Sequence, residues 1–227
     1  MLDFNPTNLL MIPVFLLSIT IHEFAHAFSA RLAGDTTAED LGRLTLNPLA
    51  HIDIVGTIIM PIITLTTGIP TIGWAKPVPV NPANFKRPYW ELIVSLAGPF
   101  SNIALAILAG IAAKILIVAD KDIPFYLMSQ AISGRSLTFV LFIIALFFIS
   151  INTLLCLFNL IPIPPLDGSH ILFYFARPGT ALGHIYEFLY RYGFMLLLLL
   201  LFFIPYTSNL FYYFVRLLLR FIYSIFL

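Results

Sequence analysis

Two histidines four residues apart, with a glutamate directly after the first, stand at His22-Glu23-Phe24-Ala25-His26. On a helix, residues four apart lie one turn apart on the same face, so both imidazoles can turn their nitrogens toward one point. That pattern suits a zinc ion, with Glu23 beside it to polarise a bound water. The alternative is a buried polar network between helices. Three ionisable groups at membrane depth are costly, however, and as a rule mark function.

A catalytic zinc takes three protein ligands and keeps a fourth position open, so the histidine pair is incomplete alone. Asp167 is the candidate third ligand. It closes the stretch Phe158-Asn159-Leu160-Ile161-Pro162-Ile163-Pro164-Pro165-Leu166-Asp167-Gly168, whose three prolines forbid a regular helix. Irregular backbone beside hydrocarbon is tolerated only next to protein or a water-filled cavity, which is the setting a hydrolytic zinc requires. The spacing equally allows Asp167 to be a helix N-cap ahead of Gly168 and Ser169. His51, His170 and His184 read as loop or interfacial residues and not as ligands.

The elements that must carry these groups are membrane helices. Hydrophobic residues make up 60% of the 227-residue chain, charged residues 10%, and the mean hydropathy is +0.97. Such a composition needs lipid around it. With 12 Lys and Arg against 11 Asp and Glu there is no basic surface to attract nucleic acid. A single cysteine, Cys156, excludes an internal disulfide and leaves helix packing to hold the fold.

Apolar runs at residues 9–32, 92–118, 137–162, 188–204 and 210–227 are each long enough to cross a hydrocarbon core of about 30 Å, which takes roughly 20 helical residues. The last two, separated by a turn at 205–209, form a helical hairpin. The run at 54–65 is too short to span comfortably and contains Pro61, so it reads as a re-entrant or interfacial segment. The first run carries the most reactive residues and no basic segment precedes it, so it is a retained helix and not a signal peptide. The expected fold is an all-α integral membrane protein with five or six transmembrane helices, one re-entrant segment and a small β-strand element. It forms a single membrane-embedded domain over residues 1–227, with a core at 9–170 and the hairpin at 188–227.

These motifs resemble the site-2 proteases, a family of intramembrane zinc metalloproteases. The match comprises His22-Glu23-x-x-His26, then Gly98-Pro99-x-x-Asn102, then Asn159 through Asp167-Gly168, in the family's order. Residues 44–53 and 73–80 look like its small branch lacking a PDZ domain. The resemblance implies that His22, His26 and Asp167 bind one zinc ion per chain and that Glu23 is the general base. It also implies that Asn159 and Asn102 help hold substrate or oxyanion, although each also reads as a helix–helix hydrogen bond. The implied substrate is a single-span membrane protein.

The stretch 73–80, with prolines at 77 and 79, suits an exposed edge strand. Gly73, Trp74, Val78 and Val80 could then pair with the backbone of a substrate helix once it unwinds. With five crossings, Arg31, Arg43, Lys76, Lys86, Arg87, Arg177 and Arg191 fall on one side of the membrane, with Arg216 and Arg220 toward it, against Lys114, Lys121 and Arg135 on the other. The richer side is cytoplasmic, which places the site toward the cytoplasmic face of a prokaryotic cell membrane. Two other readings are a metal-binding membrane transporter, which leaves Glu23 unexplained, and a non-catalytic relative that binds membrane helices. No feature sets an oligomeric state.

Overall fold

Three of the apolar runs fold into helices of membrane-crossing length. The computed structural model describes residues 9–60, 62, 63, 74–123, 136–176, 179–202 and 220. Helix α1 spans Met11–Ala33, a short α2 spans Thr37–Asp40, α3 spans Trp90–Ala119, and α4 spans Leu137–Asn159. Two more helices follow, α5 at Asp167–Phe175 and α6 at Ala181–Phe202. Among the described residues, α1, α3 and α4 are long and apolar enough to cross a membrane. At about 1.5 Å per residue, the 23 residues of α1 or α4 reach about 34 Å, enough for the hydrocarbon core. Helix α6 carries the described part of the fourth apolar run. The fifth lies outside the described residues apart from Arg220, and so does the C-terminal hairpin turn.

Helix α3 packs against both α1 and α4, and small residues make the approach close. Ala30 and Ala33 of α1 are fully buried against Val94 of α3. Ala113 of α3 meets Phe139, Phe142, Ala145 and Ile149 of α4, with Ile123 closing the cluster. The outer faces stay apolar, with Ile107, Leu108, Ile111 and Ile115 of α3 exposed, as lipid contact requires. At the far end of α3 and α4, the Asp120 carboxylate accepts hydrogen bonds from the Ser136 and Thr138 hydroxyls, and Ser136 in turn caps α4 by accepting from the Phe139 amide.

The expected edge strand is absent among the described residues, and Trp74–Val80 runs as irregular chain. The physical reason lies in where its backbone groups go. The amides of Trp74, Lys76 and Val78 donate to the Gly56 carbonyl, the His51 carbonyl and the Glu23 carboxylate, respectively. The Trp74 and Lys76 carbonyls accept from the Thr57 hydroxyl and the Arg43 guanidinium. These groups are taken by side chains and turns, and no ladder forms. Gly73 lies outside the described residues.

Of the short apolar run, Ile54–Ile59 forms a π-helical turn whose start is capped by Asp53, which accepts from the Val55 and Gly56 amides. Of the remainder, residues 61, 64 and 65 lie outside the described residues. Trp74 packs over Gly56, where a methyl group would stand 2.4 Å from the indole.

Candidate metal centre

The polar residues of α1 form one stripe at helical spacing. Ser18, His22 and His26 fall four residues apart and are all buried, facing α3 and α4. Asp167 begins α5 as its first helical residue, with Leu166 at the N-cap position, so the capping role allowed by its spacing does not apply. The proline-broken loop before it folds back tightly. A methyl group on Gly168 would stand 2.4 Å from the Leu160 carbonyl oxygen, so only glycine lets α5 start here.

Three donor atoms converge. His22 Nε2 and His26 Nε2 are 3.1 Å apart, and they lie 3.2 and 3.3 Å from Asp167 Oδ2. Among the described residues this is the one group of His, Cys, Asp or Glu side chains gathered closely enough to hold an ion. The rings are oriented from behind: His22 Nδ1 donates to Asn102 Oδ1 at 2.6 Å, and His26 Nδ1 donates to the Val94 carbonyl at 2.7 Å. A neutral imidazole that donates through Nδ1 has a bare lone pair on Nε2. Asp167 Oδ2 is buried and has no hydrogen-bond partner.

With both imidazoles neutral, these three atoms are acceptors facing one another, an arrangement that a cation would satisfy. Donors about 2.0–2.1 Å from a tetrahedral zinc stand roughly 3.3 Å from one another, close to the triangle seen here. The donor set therefore fits zinc, and Gly98 of α3 supplies the room. A methyl group there would lie 2.3 Å from His26 Nε2 and 2.7 Å from His22 Nε2.

Residues 10–200 match the profile of peptidase family M50. The chain belongs to that family, whose members are the site-2 proteases. It is 39% identical over 166 residues to the proposed zinc metalloprotease YwhC of Bacillus subtilis, covering 73% of this chain and 68% of that one. It is 31% identical over 172 residues to the proposed zinc metalloprotease Rip2 of Mycolicibacterium smegmatis, covering 76% and 59%. A shorter match, 35% over 112 residues, links it to protease RseP of Photorhabdus luminescens, covering 48% and 38%. The chain thus spans about two thirds or less of the length of these relatives. No solved structure matches it. Membership of M50 favours the metalloprotease over the transporter, because the relatives are named for zinc-dependent proteolysis.

The cluster of His22, His26 and Asp167 forms part of the wall of a cavity of about 790 Å³. Glu23 lines this cavity too, its Oε2 accepting the Val78 amide at 2.8 Å. Asn159 faces the same space and donates through Nδ2 to the Leu155 carbonyl. Trp74, Val78 and Val80 form another part of the wall. Asn102 is placed differently: fully buried outside the cavity, its amide serves His22 on one side and Asn152 on the other.

Of the three remaining histidines, His51 is buried and donates through Nε2 to the Thr45 carbonyl, while His184 stands exposed beside Glu187. His170 lines the cavity, 3.9 Å from Glu91, which the loop reading did not anticipate. Asn152 and Ser18 were also passed over. The signal for Asn152 was available, since a side-chain amide in the middle of a 23-residue apolar helix is costly unless it has partners.

Proposed function

We propose that this protein is an intramembrane zinc metalloendopeptidase in which His22, His26 and Asp167 hold one zinc ion and Glu23 is the general base. The observation that carries this reading is the buried triangle of bare acceptors at 3.1–3.3 Å, set in the wall of a cavity between membrane helices. Zinc, when bound, supplies a water of lowered pKa and positive charge for the developing oxyanion.

The chain's own residues do the rest. Glu23 takes the proton from the nucleophile and returns it to the leaving amine. The Val78 amide holds one carboxylate oxygen and leaves the other to carry that proton. Asn159, oriented by the Leu155 carbonyl, is assigned to hold substrate backbone or oxyanion. The mostly apolar wall limits bulk water around the reacting bond. Residues 74–80 run along the cavity and offer a surface for an unwound substrate, although no ladder exists there in the free chain. The substrate class that fits is a single-span membrane protein, entering from lipid. The bias of Lys and Arg supports a site toward the cytoplasmic side of a prokaryotic cell membrane.

The test compares purified wild-type protein with Glu23→Gln and His22→Ala. The first variant is expected to keep its zinc and lose cleavage of a transmembrane peptide; the second loses both. Undiminished cleavage by Glu23→Gln refutes the assignment.

A further inference from the structure

Behind His22 runs a chain of hydrogen bonds whose direction is set entirely by two backbone carbonyls. The Val14 carbonyl can only accept, so the Ser18 hydroxyl donates to it, at 2.8 Å. Ser18 Oγ is then an acceptor for Asn152 Nδ2, at 2.8 Å. The Phe148 carbonyl accepts the other hydrogen of the same Nδ2, at 2.9 Å. Both amide hydrogens of Asn152 are thereby committed, and its Oδ1 must face Asn102. Asn102 Nδ2 donates to that oxygen at 2.8 Å, which turns Asn102 Oδ1 toward His22. His22 Nδ1 must then carry the hydrogen, and its Nε2 is bare.

Ser18, Asn102 and Asn152 are all fully buried, so no water competes for these groups. Flipping either amide would set oxygen against oxygen at its carbonyl end. His26 needs no such chain, because the Val94 carbonyl fixes its Nδ1 hydrogen directly.

We propose that Asn152, anchored by the Phe148 carbonyl and Ser18, is a positioning residue that selects the metal-binding tautomer of His22 through Asn102. The proposal rests on the metalloprotease reading for its purpose, but its geometry is independent of that reading. Asn152 touches neither ligand nor cavity. Its loss frees Asn102 to rotate, and a rotated Asn102 would present a donor to Nδ1 and place the imidazole hydrogen on Nε2, where it blocks coordination.

The test uses the full-length chain in bilayers with 15N-labelled histidine, both without metal at alkaline pH and in a zinc competition titration. In the wild type, the His22 and His26 signals each show one tautomer, with hydrogen on Nδ1. Asn152→Leu, which cannot accept from Asn102, is expected to give a mixture at His22, leave His26 unchanged, and weaken zinc binding about tenfold. Asn152→Asp, kept protonated by burial and by the Phe148 carbonyl to which its hydroxyl would donate, still offers an oxygen to Asn102 and restores the single His22 tautomer. An unaltered His22 signal and unaltered zinc affinity in Asn152→Leu overturn the proposal. Equal disturbance of His22 and His26 also overturns it, since Asn152 would then be a packing residue only. A wild type that shows the tautomers but binds no zinc sinks the metalloprotease reading and leaves the tautomer selection standing.

Discussion

Gly98→Ala adds one methyl group to the face of α3 that supports both imidazoles. Built on the existing backbone, that methyl lies 2.3 Å from His26 Nε2, 2.5 Å from His22 Cε1 and 2.7 Å from His22 Nε2. Ordinary carbon contacts sit near 3.5–4.0 Å, so about 1 Å of movement is required. Neither ring can retreat freely, because Asn102 Oδ1 and the Val94 carbonyl, both on α3 itself, hold their Nδ1 atoms at 2.6 and 2.7 Å.

The movement must come from the helices parting or from those bonds breaking. Ligand distances in a metal site tolerate only about 0.2 Å, and an error of about 1 Å near the chemistry costs on the order of 100-fold in rate, equivalent to about 2.7 kcal/mol. The expected result is a sharp drop in zinc per chain by elemental analysis and a fall of at least about 100-fold in peptide cleavage, with helical circular dichroism retained. Ile111→Ala, on the exposed face of the same helix, should match wild type in both measurements. Full zinc occupancy and near-normal turnover in Gly98→Ala would mean that the rings do not rest against α3, and the site described here would be wrong.

Gly168→Ala presses a methyl against the carbonyl oxygens of Leu160 and Ile161, at 2.4 and 2.6 Å, and backbone cannot swing aside. Asp167 should be displaced, with zinc lost and the Nδ1 bonds of both histidines kept, as 15N spectra would report. Val78→Pro removes the amide that holds Glu23 Oε2. Zinc content should stay unchanged while kcat falls about tenfold or more, a typical share for a positioned base; an unchanged kcat would show that the contact is incidental.

Asp35 is buried and accepts from the Asn81 amide, Asn84 Nδ2, the Thr37 hydroxyl and the Thr37 amide, tying the end of α1 to the chain beyond Val80. Burial pushes its carboxyl up, but those hydrogen bonds outweigh burial and hold it below the usual carboxylate range. A depressed folded-state pKa stabilises fully above the ordinary value of about 4 and is lost as pH falls below it. Hydrogen exchange at residues 75–84 should therefore stay slow from neutral pH down to about 5 in the wild type, and should be faster across that range in Asp35→Ala.

The clustering of His22, His26 and Asp167 was legible because these residues obey local rules. His22 and His26 need only the helical period to share a face, and Asp167 announced itself as a carboxylate after a proline-broken run. The Gly98-Pro99-x-x-Asn102 motif could be seen but not understood, because what Gly98 avoids is a pair of rings on a helix 70 residues earlier. Asn102 was read both as facing substrate and as a helix–helix hydrogen bond, since nothing in one dimension says which side of α3 meets α1, and the structure bears out the second. The strand at 73–80 failed for a related reason. Its prolines correctly excluded a central strand, but whether the remaining amides pair with a strand or with Glu23 and His51 depends on what lies alongside.

The division of labour among the helices explains how two imidazoles and a carboxylate can gather at membrane depth at all. Burying two imidazoles and a carboxylate is expensive unless each polar atom has a partner. Here α3 supplies partners for both Nδ1 atoms, one from a carbonyl and one from an amide held through α4. That leaves three unsatisfied acceptors, all aimed at one point, so a single cation resolves every remaining deficit at once. Two of the ligands sit on α1, braced by α3, while the third arrives on a short helix behind a proline loop. A site arranged in this way is rigid where the imidazoles must be oriented. A metal held there would need Asp167 in place, so the loop at 160–166 is the segment whose conformation its binding would most directly stabilise.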